Sequence, residues 1–289
     1  MKPWMIIVLI VICLLVAAAF RVRYELRHLQ TASYILGTSK LSAGQSVRAV
    51  FLTDLHSRKY GTQNEELLSL IAEQKPDLIL AGGDMLTAKT ETGITDNYEF
   101  FHNLLQTGPV YAAPGNHEKR LSLDESGQKE MFEEHLEQLE KEGLHYLTNT
   151  KVDLSLPVSV YGMDLDFRYY KKLRRQYYEP EQMKKDLASF DDTRFNIVLA
   201  HNPRFFKTYA GSGADLFLAG HYHGGAVRIG RKIGLISPQF IPFPRYSRGL
   251  YRKGETTMIV SAGCGSHKVN LRLFNKPEIV VIDIHGPVI

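Results

Sequence analysis

Five short apolar runs in this chain each stop at a residue able to bind a metal ion, and that recurrence limits the fold more than any other feature. Phe51-Leu52-Thr53 leads into Asp54-Leu55-His56, and Leu78-Ile79-Leu80 leads into Gly82-Gly83-Asp84. Val110-Tyr111-Ala112 passes Pro114 into Gly115-Asn116-His117-Glu118. Ile197–Ala200 stops at His201, and Leu216–Ala219 stops at Gly220-His221-Tyr222-His223-Gly224. Open α/β sheets place their sites at the carboxyl ends of strands, so the ligands are expected along one edge.

The spacing carries chemical sense. Asp54 and His56 stand two apart and would point the same way from an extended backbone, as would His221 and His223. Asp84 has two carboxylate oxygens and can bridge two cations, while Asn116 offers a neutral carbonyl oxygen. A set of oxygen and nitrogen donors without thiolate suits a pair of first-row ions such as Mn, Fe or Zn. The two cysteines, Cys13 and Cys264, are too few for a disulfide framework or a Cys-rich zinc module. Taken singly, Asp-x-His is a common pattern and Gly-Asp after a strand is usually a turn. Five such elements in order, each behind an apolar run, have no turn-chemistry explanation. His102, His135, His145, His267 and His285 read, on the same logic, as structural or surface residues.

Periodicity fills in the rest. Strands are expected at Val47–Thr53, Asp77–Ala81, Val110–Ala113, Val158–Tyr161, Phe195–Ala200, Asp215–Ala219, Thr257–Ser261 and Ile279–Ile284. Helices are expected at Asn64–Lys75, Phe100–Leu105 and Lys129–Glu142, the last ended by Gly143. Early strand–helix alternation followed by strand-rich sequence indicates an α/β domain of two packed mixed β-sheets flanked by helices.

Ahead of that domain, Pro3–Phe20 contains no charge, and Arg21 and Arg23 follow at once. Eighteen helical residues rise roughly 27 Å, close to the hydrocarbon thickness of a bilayer. Ala17-Ala18-Ala19 would also suit a cleaved signal, but the single Lys2 and the length of the run favour one N-terminal transmembrane helix. The division expected is therefore a membrane anchor at 1–23, a juxtamembrane linker at 24–46 with one strand at Ser33–Leu36, and a catalytic domain at 47–289. The positive-inside rule places that domain on the cytoplasmic side, by a margin of about one charge. Residues 1–28 carry four of the 35 basic side chains and one of the 31 acidic ones, leaving the remainder within one charge of neutral. Such a surface lacks the broad positive face that polymeric nucleic acid requires.

The ordered set Asp54-x-His56, Gly83-Asp84, Gly115-Asn116-His117-Glu118, His201 and Gly220-His221-x-His223 resembles that of the calcineurin-like metallophosphoesterases. It is most similar to their bacterial membrane-associated YkuE/YaeI-like subgroup, which shares the apolar N-terminal segment, Gly224-Gly225 and a stretch like Arg272–Glu278. The resemblance implies a four-layer sandwich in which one metal takes Asp54, His56 and His223. A second metal takes Asn116, His201 and His221, and Asp84 bridges the two. His117 would be the catalytic histidine that is not a ligand, acting beside in-line attack of a metal-bridging hydroxide. Glu118 would orient that ring or simply start a helix. Ser261–Gly265 departs from the subgroup, with Ala262 and Cys264 where an arginine and an apolar residue are expected.

Two aromatic-basic stretches, 166–178 and Pro238–Arg252, read either as solvated cover for the sheets or as an amphipathic lid for anionic lipid. With the anchor, they favour a lipid-linked phosphoester or pyrophosphate substrate, of the UDP-diacylglucosamine or phospholipid type that the subgroup implies. A small-nucleotide phosphodiesterase or nuclease is the alternative on the same site, and a non-catalytic scaffold of the same fold is a third reading.

Overall fold

Strand β2 shows in miniature why this chain builds layers. In a computed structural model, which describes residues 2–287 apart from 89–90, 126, 172–175, 188, 231–232, 238–240 and 267–269, β2 spans Ser46–Leu52. Val47, Ala49 and Phe51 join one buried cluster while Val50 and Leu52 join another. Successive side chains leave a strand on opposite faces, so a strand covered on both sides reads as one continuous apolar run.

Helix α1 (Pro3–Arg27) comes first, then β1 (Gln30–Gly37), β2, α2 (Glu65–Glu73), β3 (Leu78–Ala81), α3 (Glu91–Leu105) and β4 (Val110–Ala112). Next are α4 (Asn116–Leu121), α5 (Gln128–Lys141), β5 (His145–Tyr146), β6 (Thr150–Asp153), β7 (Val158–Gly162) and α6 (Pro180–Asp186). The chain closes with β8 (Phe195–Leu199), α7 (Phe206–Tyr209), β9 (Leu216–Ala219), β10 (Val227–Ile229), β11 (Ile233–Ile236), β12 (Gly249–Lys253), β13 (Thr256–Val260) and β14 (Glu278–His285). One six-stranded sheet has the order β1-β14-β2-β3-β4-β5, and the other β12-β13-β9-β8-β7-β6. Neighbours β2, β3 and β4 run parallel, as do β7, β8, β9 and β13.

A central cluster joins the facing sides of the two sheets, with Phe51, Leu80, Val280 and Ile282 from one and Val160, Ile197, Leu218 and Ile259 from the other. Helices α2, α3 and α5 cover the outer face of the first sheet, and Met183, Phe206 and Tyr209 cover that of the second. This is the expected layered α/β architecture of two mixed sheets between helices.

Three expectations change. Helix α3 begins at Glu91 rather than near Phe100, because the polar Asn97 lies in its buried stripe with Ile94, Phe101 and Leu104 and hides the period. Residues 24–46 are not a simple linker. Gln30–Gly37 forms a full edge strand paired with β14 in parallel, and Ala32, Tyr34 and Leu36 turn inward onto the central cluster. Its outer face is polar apart from Ile35, which kept all but Ser33–Leu36 from reading as a strand. Helix α1 continues without a break past the apolar run, and of its residues only Glu25 is buried. It is long and apolar enough to cross a membrane, a property that signal sequences share.

The pairing of β1 gives a test. A chain shortened to 47–289 should melt about 5–10 °C below one shortened to 29–289, since burial of Leu36 and Tyr34 contributes about 3 kcal/mol. It should also aggregate along the uncovered edge of β14. Calorimetry and light scattering on the two proteins check both effects.

Candidate metal centre

The carboxyl ends of β2, β3 and β4 in one sheet, and of β8 and β9 in the other, open onto the same pocket. Asp54 follows β2, Asp84 follows β3, Asn116 opens α4 beyond β4, His201 follows β8, and His221 and His223 follow β9. Asp54, His56, Asp84, His117, His201, His221 and His223 are all buried. Their donor atoms fall into three overlapping groups capable of holding an ion: Asp54, His56 and His223; His56, Asp84 and His117; and Asp84, His201 and His221. All the Asp and His residues expected from the sequence are therefore brought together.

The local backbone is not the extended one expected. Asp54, His56, Asp84, His221 and His223 have φ between +48° and +68°. Residues with side chains rarely adopt this left-handed region, and they persist in it where surrounding structure holds them, commonly at functional sites. Convergence thus comes from tight turns after the strands, not from period-two alternation along them. Main-chain bonds fix the turns: the amides of Asp54 and His56 donate to the carbonyls of Gly83 and Asp84, each at 3.0 Å. Gly220 is required because a Cβ there would lie 2.1 Å from Asp54 Oδ2.

Distances between donors suit cations. His56 Nε2 and His223 Nε2 are 3.2 Å apart with their rings stacked, and His223 Nε2 lies 3.4 Å from Asp54 Oδ1. Across the pocket, His201 Nε2 lies 3.2 Å from Asp84 Oδ2, which is also 3.8 Å from His56 Nε2. Ligands about 2.1 Å from one ion are separated by roughly 3.0–3.5 Å. Asp84 Oδ2 faces both halves, because Oδ1 is taken by the amide of His117 at 2.8 Å.

Outer contacts orient these ligands. His201 Nδ1 is 2.8 Å from the carbonyl of Gly82, and His223 Nδ1 is 3.3 Å from that of Gly265. Donation of Nδ1–H to a carbonyl leaves the Nε2 lone pair for a metal. Asn116 Oδ1 is shielded from solvent and makes no hydrogen bond, which is costly for a buried acceptor unless a cation takes it. The residues fit a pair of divalent ions on these observations.

Electrostatics agree. Burial pushes the Asp54 carboxyl up to about 7, with the neighbouring Asp84 adding to the rise and His201 opposing it. For Asp84 burial acts upward too, but His201 and His117 outweigh it and hold the carboxylate well below its ordinary range. Burial holds His221 and His223 well below the usual imidazole value, so both are neutral donors at pH 7. Burial opposes charge on His201 as well, yet Asp84 and Asp54 raise it to about 10.

Other residues have different roles from those the sequence suggested. The carboxylate of Glu118 accepts from the amides of Asp84 at 2.8 Å, Met85 at 2.8 Å and Gly115 at 2.9 Å. It clamps the Asp84 turn to the start of α4 rather than orienting the His117 ring. His117 Nδ1 instead accepts from the amide of Ala88 at 3.1 Å. Tyr169 and Tyr178, from the aromatic-basic stretch 166–178, belong to the buried core. Tyr170 is a residue that sequence reasoning missed: its ring packs edge-on against His221 with centroids 5.4 Å apart. Only its place in an aromatic run signals this. Residues 172–175 and 238–240 of the two stretches lie outside the described residues. In Ser261–Gly265, Cys264 is buried and its thiol is pushed up to about 12 by burial, so it is inert packing.

Comparison with known proteins agrees with this geometry. A family model described as calcineurin-like phosphoesterase matches residues 47–225. The phosphodiesterase YaeI of Escherichia coli is 28% identical over 243 residues, covering 82% of each chain. The uncharacterized protein YpbG of Bacillus subtilis is 25% identical over 265 residues, covering 90% of this chain and 88% of its own. YkuE of the same organism, an uncharacterized metallophosphoesterase, is 32% identical over 99 residues, 34% of each chain. Among solved structures, TT1561 of Thermus thermophilus aligns with a TM-score of 0.47 at 12% identity, over 76% of this chain and 90% of that one. Five strand ends that deliver aspartate, asparagine and histidine to one pocket, and a family model spanning them, place this chain in the calcineurin-like phosphoesterase family, as a metal-dependent phosphoesterase with a dinuclear site.

Proposed function

We propose that this protein is a membrane-anchored phosphodiesterase that cleaves a lipid-linked phosphoester or pyrophosphate. The observation that carries the reading is the physical continuity of α1: one unbroken helix has an exposed apolar face along Pro3–Phe20 and is seated by Glu25 against the catalytic domain. A substrate held in a bilayer is thereby local to the site, and the name of the Escherichia coli relative, a phosphodiesterase, gives the reaction class. The near-neutral charge of residues 29–289 supports a small or lipid substrate over a polymeric nucleic acid.

In this reading Asp54, His56 and His223 would hold one ion and Asn116, His201 and His221 the other, with Asp84 between them. Bound there, the ions supply Lewis acidity and a water acidic enough to yield a nucleophile near neutral pH. His117 supplies a hydrogen bond to the leaving oxygen. The Ala88 amide donates to its Nδ1 at 3.1 Å, which puts the ring hydrogen on Nε2, and that N–H stabilises the leaving oxygen as negative charge builds on it. The neighbouring Asn116 fixes His117 at the edge of the cluster, and its ring stands edge-on to His56 with centroids 4.9 Å apart. Tyr170 packs on the other side, with ring centroids 5.4 Å from His221 and 6.2 Å from His201. Arg272 does not serve the substrate, because its guanidinium is spent on the carbonyls of Ala262, Gly263 and Gly265.

With bis-p-nitrophenyl phosphate and Mn²⁺, His117→Ala should lower kcat by about 10²–10⁴-fold while bound metal stays unchanged. Asp84→Asn should instead lose metal, which elemental analysis reads directly. If His117→Ala keeps full activity, the assignment of His117 to the leaving oxygen is wrong.

Metal uptake should depend on pH in a defined direction. Asp54 and His201 both have raised values in the metal-free protein, about 7 and about 10. Each holds a proton that a cation must displace, so affinity climbs as pH rises from roughly 6 to 8 and binding releases protons. Calorimetry of Mn²⁺ binding in two buffers of different ionisation enthalpy measures the release. The substrate assignment is tested by incubating the full chain with vesicles that contain a diacylated nucleotide diphosphate, or with free cyclic and dinucleotides. Turnover confined to the nucleotides would overturn the lipid reading and leave the phosphodiesterase.

A further inference from the structure

The last turn of α1 touches both loops that deliver the Asp54, His56 and His223 group. Glu25 is fully buried, with one carboxylate oxygen 2.8 Å from Arg21 Nε and the other accepting the backbone amide of Asn275 at 2.7 Å. Asn275, itself fully buried, uses its side-chain amide to donate to the carbonyl of His223 at 2.7 Å and to that of Gly225. On the other side, the guanidinium of Arg58, two residues beyond His56, donates to the carbonyl of Leu26 at the end of α1. A cation at a helix C-terminus also gains from the helix dipole. Two independent contacts thus join one helix end to the His223 turn and to the His56 loop.

The other half of the centre is buttressed elsewhere. Glu118 holds the Asp84 turn, and the Gly82 carbonyl orients His201. We propose that the C-terminal turn of α1 is a clamp on the Asp54/His56/His223 half-site, with Glu25 and Arg58 as positioning residues. The seating of the apolar helix then bears more on one ion's ligands than on the other's, which reach it only through His221 on the same turn and its amide on Asp54. Only four residues lie between Phe20 and Glu25, five steps or roughly 7.5 Å of helix, and no break intervenes to absorb a tilt. The clamp rests on the ligand assignment proposed above but not on the lipid substrate.

The test titrates the full chain in detergent micelles with Co²⁺, following visible absorption and, separately, calorimetric affinity. Wild type should show two binding steps. Glu25→Ala should weaken one step by about 10–100-fold, the scale for loss of a contact behind a metal ligand, and shift that site's absorption band. The second step should change much less. Glu25→Gln, which keeps a carbonyl oxygen for the Asn275 amide, should restore most of the affinity. Arg58→Ala removes the other contact and should weaken the same step; it stands in if Glu25→Ala does not fold. Two unchanged steps, or two steps weakened alike, would overturn the clamp while leaving the ligand set intact. No Co²⁺ binding by wild type would overturn the ligand set itself.

Discussion

Asp54 and Asp84 share one desolvated pocket, and the rest of the molecule answers to that cost. Two buried carboxylates a few ångströms apart are strongly unfavourable without compensating positive charge. The chain surrounds them with imidazoles, main-chain amides and the capacity for two cations. The requirement that donors from both sheets converge explains why five ligands adopt left-handed backbone and why Gly220 passes against Asp54 with no room for a side chain. Asp84 spends one oxygen on the His117 amide and keeps the other for the space between the halves. That hydrogen bond links a metal ligand to the residue proposed to stabilise the leaving oxygen.

Much of this is legible in the sequence, because strands buried on both faces are apolar throughout and the ligands begin where the apolar runs end. What is not legible has physical causes. Asp-x-His suggests an extended pair, but a left-handed turn brings two residues together just as well and leaves no mark on composition. Most of β1 hides because an edge strand buries one face only, and its outward Thr31, Ser33 and Ile35 dilute the signal. Glu118 reads as a ring-orienting or exposed residue, since nothing local shows that the Asp84 turn packs against it. Glu25 looks like one more juxtamembrane charge, and its partner Asn275 lies at the far end of the chain.

The stretch Arg272–Glu278, first a point of similarity, acquires a physical account. Arg272 gathers three carbonyls of the 262–265 loop, Asn275 pins the His223 turn, and Glu278 accepts the Ala262 amide at 2.9 Å while pairing with Arg248. None of the three is arranged to meet substrate. Together they form a polar buttress beneath one side of the metal centre, with most of its hydrogen-bonding capacity directed at the main chain, so losing any one member leaves buried carbonyls or amides without partners.

The position of β14 sets the timing of assembly. It lies between β1 and β2, and Arg48 meets Asp283 across 235 positions of chain. At ribosomal rates of about 5–20 residues per second, β2 waits on the order of 10–50 s for its neighbour. During that interval the first sheet is split, the Asn275 buttress does not exist, and the apolar edges of β1 and β2 are open to wrong pairing. Non-local closure of this kind also makes folding slow. Newly made chains therefore have a window of chaperone dependence that ends only with the last strand, and loading of the centre with metal belongs after translation rather than during it.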